Sequence, residues 1–86
     1  MKIIFTSQAQ DDLAYWRKHD QKMVVKIDQL IQAVLASPFE GIGKPEPLRF
    51  QKAGYWARRI TQEHRLVYKV HDDVLYIAQC RYHYER

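Results

Sequence analysis

The last six residues, Arg81-Tyr82-His83-Tyr84-Glu85-Arg86, alternate cations with aromatic rings and include a histidine. Arginine and tyrosine side chains hold phosphate and stack on bases, and an imidazole moves a proton near neutral pH. The plainer reading makes Tyr82 and Tyr84 core or rim aromatics that end a last strand. Glu46 sits in Lys44-Pro45-Glu46-Pro47. Both prolines fix their own φ and hold the preceding residue extended. A stiffly mounted carboxylate suits a general base, where geometry comes before pKa; a solvated loop glutamate is the alternative. Arg65, early in a strand, can grip a phosphate through two parallel hydrogen bonds, or pair with Glu63 or a nearby aspartate. One base, one acid and fixed cations are what phosphodiester cleavage by an internal 2′-hydroxyl needs. Glu46 would take the hydroxyl proton, Arg65 would hold charge on the pentacoordinate phosphate, and His83 would protonate the leaving oxygen. The residues alone leave this as one hypothesis among several.

The elements that must position these groups follow from pattern. Lys2-Ile3-Ile4-Phe5-Thr6 is short, apolar and β-prone. Ser7 and Gln10 have the spacing of a capping box that opens a helix to about Lys18, with Ala9, Leu13 and Trp16 on one side. Asp20 can cap a second helix. There Met23, Val24, Ile27, Leu30, Ile31, Val34 and Leu35 follow the helical period, and Pro38 ends it. Residues 37–47 read as a loop; Gly41-Ile42-Gly43-Lys44 has neither the spacing nor the preceding strand of a phosphate loop. The rest reads as strands: residues 48–50 resuming at 55–60, then 64–70, then 74–82. Short connections make these antiparallel hairpins. Arg58 and Arg59 are adjacent and so point to opposite faces. The expected fold is α+β in the order β-α-α-β-β-β, a single domain over residues 1–86. Two helices cover one face of a small, mainly antiparallel sheet and leave the other open.

Composition narrows the function classes. The chain of 86 residues is 47% apolar and 28% charged, as expected for a soluble globular domain. No apolar run is long enough to span a membrane, and the start turns polar too soon for a signal peptide. One cysteine, Cys80, excludes an internal disulfide and suits a reducing cytoplasm; in a strand it reads as a small buried hydrophobe. His19, His64 and His71 have no metal-site spacing. Residues 1–43 carry five basic and five acidic side chains and residues 44–86 nine and five, so the whole net charge of +4 lies in the second half. Five of the six tyrosines and Trp56 lie there too. Cations interleaved with aromatics suit nucleic acid or another polyanion, against the alternative of an ordinary basic surface.

Three blocks in order resemble the YoeB-type toxins of the RelE/ParE superfamily, from bacterial toxin–antitoxin pairs. They are Pro38-Phe39-Glu40-Gly41 with Gly43-Lys44-Pro45-Glu46-Pro47-Leu48, then Arg58-Arg59-Ile60-Thr61 with Glu63-His64-Arg65-Leu66-Val67-Tyr68, then Cys80-Arg81-Tyr82-His83-Tyr84. The resemblance implies a fold like that of microbial ribonucleases. It also implies metal-independent cleavage of mRNA in the ribosomal A site, with no cofactor. Carried over by position, Glu46 is the general base, His83 the general acid, Arg65 the transition-state arginine and Tyr84 the ring that orients the nucleotide. Arg49 and Arg59 fall where the family keeps phosphate-binding cations; Lys44 and Arg81 are further candidates. The implied partners are mRNA, the ribosome and an antitoxin of the YefM or Phd type, with operator DNA bound only through the antitoxin complex. Monomer and homodimer both stay open. Glu85 and Arg86 extend past the point where the family commonly stops. The rival within the superfamily is a ParE-like toxin that poisons DNA gyrase and cuts no RNA.

Overall fold

Strand β1 (Lys2–Phe5) leads directly into helix α1 (Ser7–His19), and α2 (Gln21–Ala36) follows after one residue. The computed structural model describes residues 1–83. Thr6, not Ser7, caps α1. Its amide still pairs with the Ile77 carbonyl at the end of the sheet, so its hydroxyl is placed to accept from the Ala9 amide at 3.2 Å. The same hydroxyl donates to the Ala78 carbonyl at 3.0 Å, tying helix start to sheet. Gln10 turns its side-chain amide to the Phe5 carbonyl. Asp20 caps α2 as expected, accepting from the Lys22 amide at 3.1 Å.

After α2 come β2 (Glu46–Pro47), a 3₁₀ turn (Phe50–Lys52), β3 (Trp56–Arg59), β4 (Arg65–His71) and β5 (Val74–Gln79). The sheet order is β1-β5-β4-β3-β2; β1 lies parallel to β5 and every other pair is antiparallel. The expected α+β architecture holds, with two strands redrawn. Residues 48–50 do not form a strand that resumes at 55. The two prolines extend residues 46–47 instead, which pair back on β3 as an edge. Phe50, at φ 58°, then breaks the chain into the 3₁₀ turn. The last strand also stops early, at Gln79 rather than Tyr82, because Tyr82 adopts φ 65° and turns the chain out of the ladder.

The core lies between the helices and one sheet face. Met23, Ile27, Leu30, Ile31 and Val34 of α2 meet Leu66, Tyr68, Leu75, Ile77 and Ile60. Each large aliphatic buried there contributes about 1.5–3 kcal/mol. Cys80 is buried in this core. Among the described residues, the opposite face carries a small apolar cluster, Leu48, Ala57 and Val67 with Tyr55 and Ala78 beside it. No helix among the described residues is long and apolar enough to cross a membrane.

Candidate active site

Register decides what the open face displays. Glu46 pairs with Ala57, Ala57 with Val67, and Val67 with Gln79. Directly opposed residues share a face, so a row runs from Glu46 through Ala57 to Val67, and across a β-bulge in the β4–β5 register, where Ala78 is the extra residue, it reaches Gln79. In the next row Arg59 faces Arg65. Two opposed cations repel each other and make that row attractive to an anion. Glu46 and Arg59 are exposed, while Arg65 is buried. Four residues beyond Arg65 on β4, Lys69 places its ammonium 5.0 Å from the Tyr55 ring and 5.7 Å from the Tyr76 ring. The pattern reading passed over Lys69 and Gln79, although the two-residue period of β4 already puts Lys69 with Arg65.

Arg65 is held by the turn that precedes it. Its Nη1 donates to the carbonyls of Thr61, Gln62 and His64 at 2.8, 3.0 and 3.2 Å. It makes no ion pair among the described residues, so the expected alternative partner Glu63 is not engaged. Its Nε is buried without a hydrogen-bond partner among those residues. A buried donor left open costs about 1–3 kcal/mol, which an arriving anion could recover.

The tail is tied down as far as His83. Asp12, buried in α1, accepts from the Cys80 amide at 3.0 Å, and the Trp16 indole donates to the Cys80 carbonyl at 2.8 Å. The Tyr82 carbonyl accepts from the Arg65 amide at 2.9 Å, and the Tyr82 amide donates to Nδ1 of His64 at 2.7 Å. That last bond requires an unprotonated Nδ1. Burial pushes the His64 pKa below its ordinary value; Arg81 and Arg65 push the same way, and Glu63 and Asp12 oppose them. The buried Gln79 amide donates to the carbonyls of Arg81 and His83 at 3.0 Å each and lies 3.4 Å from that of Tyr82. The His83 backbone is thereby brought to the far end of the row that begins with Glu46. Tyr84, Glu85 and Arg86 lie outside the described residues.

The loop that delivers Glu46 hangs on Arg58. This arginine is fully buried on the helix side of β3. It donates to the Tyr68 hydroxyl at 3.0 Å and to the carbonyls of Ser37, Glu40 and Ile42. The Tyr68 hydroxyl in turn donates to the Pro38 carbonyl at 2.7 Å. Burial raises the Tyr68 pKa, against the pull of Arg58, and keeps the phenol a donor. Gly43 is required where it stands. At φ 84°, a Cβ there would come within 2.9 Å of Leu30 and 3.1 Å of Arg58, and its carbonyl takes the Arg59 amide at 2.7 Å.

The remaining candidates separate. Lys44 and Arg49 are exposed, one at φ 50° in the loop and one between β2 and the 3₁₀ turn. Arg59 also borders a cavity of about 190 Å³ with Lys26, Leu30 and Ile42. The Arg81 guanidinium lies 3.4 Å from the Tyr15 ring centre and 4.4 Å from that of Tyr82, between two aromatics.

Residues 5–84 match the model of the YoeB-like toxin of bacterial type II toxin-antitoxin system. Toxin YoeB of Escherichia coli K12 is 55% identical over 84 residues, 98% of this chain and all of that one. Toxin YoeB of Synechocystis is 49% identical over the full length of both. Among solved structures, the YoeB/ParE toxin from Agrobacterium tumefaciens superposes with a TM-score of 0.95 at 49% identity, covering 98% of this chain and 100% of that one. The toxin of a heterotetrameric YoeB–YefM toxin–antitoxin complex from Staphylococcus aureus gives 0.90 at 47%, covering 98% of each. The chain belongs to the family of YoeB-like toxins of bacterial type II toxin–antitoxin systems.

Proposed function

We propose that this toxin is a ribosome-dependent endoribonuclease that cuts mRNA in the A site by attack of the RNA's own 2′-hydroxyl. The observation that supports it most is the shared open face. Glu46 and the Arg59–Arg65 pair lie on it, and the His83 backbone is held at its other side. Glu46 and Gln79 are three strand spacings apart, about 14 Å, enough for a nucleotide to lie between the base and the acid. Glu46 takes the 2′-hydroxyl proton as that oxygen attacks phosphorus. Arg65 and Arg59 stabilise the charge that builds on the phosphoryl oxygens. His83 gives a proton to the departing 5′-oxygen, which leaves a 2′,3′-cyclic phosphate and a free 5′-hydroxyl. Lys44, Arg49 and the Lys69 ammonium supply long-range attraction for the RNA backbone. Tyr84 stacks on the base. Arg81, between two rings, serves the tail rather than phosphate.

The partner that silences the toxin is a YefM-type antitoxin, in keeping with the complexes of the Staphylococcus aureus relative. The toxin acts in the cytoplasm, where translating ribosomes are. A translation reaction with mapped mRNA ends tests the activity. Cuts at the A-site codon that require ribosomes are expected; intact mRNA together with inhibited DNA supercoiling would favour a gyrase poison instead.

A further inference from the structure

We propose that Gln79 is the positioning residue that sets the imidazole of His83 against the open face. The inference rests on the reading of His83 as the proton donor. Gln79 is 3% exposed at the end of β5, where an uncharged polar side chain needs its hydrogen bonds met locally. Three carbonyl oxygens, those of Arg81, Tyr82 and His83, surround one terminal atom of its amide. Only the nitrogen end can face three acceptors. Its two hydrogens serve the two 3.0 Å contacts, and the 3.4 Å contact to Tyr82 is shared. The chain after β5 thus curls around the amide of the residue it has just left, and the left-handed Tyr82 makes that curl.

Several ties act earlier along the tail. Asp12 and Trp16 hold Cys80, the ring stack holds Arg81, and His64 and the Arg65 amide hold Tyr82. Gln79 reaches the carbonyl of His83 itself. Because Gln79 belongs to the row that starts at Glu46, it references the acid to the same strands that carry the base and the arginines. Without the amide donor, the anchors up to Tyr82 persist and the fold is kept, but the His83 backbone loses the bond that ties it to the end of β5. Misplacement by about 1 Å can cost on the order of 10²-fold in rate.

The test uses the full-length toxin with Gln79→Met, which keeps the length and removes the donor. Gln79→Glu, which sets acceptors against acceptors, serves as the second variant. Single-turnover cleavage of a defined mRNA on saturating ribosomes is measured beside ribosome affinity. The expected result is a rate loss of at least about tenfold with affinity held within about twofold in a folded variant. A smaller rate loss, or rate and affinity falling together, overturns the inference; so does failure of both variants to fold, which would make Gln79 a structural residue. His83→Ala is run in parallel. If it cleaves at the parent rate, the catalytic reading fails whatever Gln79 does. If it is slow while Gln79→Met is fast, only the positioning role fails.

Discussion

Replacing Arg58 by methionine tests how the loop before Glu46 is held. The guanidinium donates to the carbonyls of Ser37, Glu40 and Ile42 and to the Tyr68 hydroxyl, and it is fully buried. Methionine fills the space of the stem and removes every donor. Three carbonyls left dry would cost about 1–3 kcal/mol each. Glu40 and Ile42 are exposed residues, so their carbonyls can regain water, which moves the sum toward the low end. Arg58 has no carboxylate partner among the described residues, so removing its buried charge recovers part of its desolvation cost. The net expectation is a loss of about 3 kcal/mol, a large share of the ~5–15 kcal/mol that holds a domain folded. At about 4–8 °C per kcal/mol for a domain this small, melting should fall by at least about 12 °C. Urea unfolding followed by tryptophan fluorescence measures it, with Trp56 packed 4.9 Å from the loop residue Phe39. A loss below about 1 kcal/mol would refute the claim that Arg58 fastens the loop.

Glu46→Ala and His83→Ala should each abolish growth arrest while melting within a few degrees of the parent; a folded His83→Ala protein that remains fully toxic would remove the acid from the scheme. Arg65→Ala should lower the cleavage rate more than ribosome affinity, because its charge partner develops in the transition state; equal losses would reduce Arg65 to a binding residue. His64 gives a pH prediction. Its pKa is lowered in the fold, so the bond from Tyr82 contributes fully above pH 6.5, the ordinary histidine value, and is lost as pH falls through the lower folded value. Urea midpoints should therefore drop between pH 7.5 and 5.5 by more in the parent than in His64→Asn, whose amide oxygen can accept at both values; equal drops would contradict the assignment.

The helices were legible because their signals are local. The period of Met23 to Val34 and the Asp20 cap depend on neighbours within a turn or two. The strand expected at residues 48–50 failed because its real determinant is the pair Pro45 and Pro47, which moves the extended segment to Glu46. Thr6 displaced Ser7 as cap because a long-range bond to Ile77 keeps residue 6 in the sheet. Adjacency did separate Arg58 from Arg59, one buried and one exposed. The meeting of Glu46, Arg59 and Arg65 on one face depends on register across three strands, which local spacing does not fix. The same holds for the grip of Gln79 and His64 on the tail. The partner of Gln79 is a turn made by Tyr82 in the left-handed region, and nothing in the sequence around it demands that turn.

The most direct test of the catalytic claim is cleavage of an mRNA carrying a single 2′-deoxy nucleotide on the 5′ side of the scissile phosphate, set in the ribosomal A site. Loss of that one hydroxyl removes the nucleophile of the proposed reaction and changes nothing in the protein. The account predicts that cutting at that bond stops while the toxin still binds the ribosome, and that the all-ribose control yields a 2′,3′-cyclic phosphate end. Cleavage of the deoxy-substituted bond at the ordinary rate would contradict it.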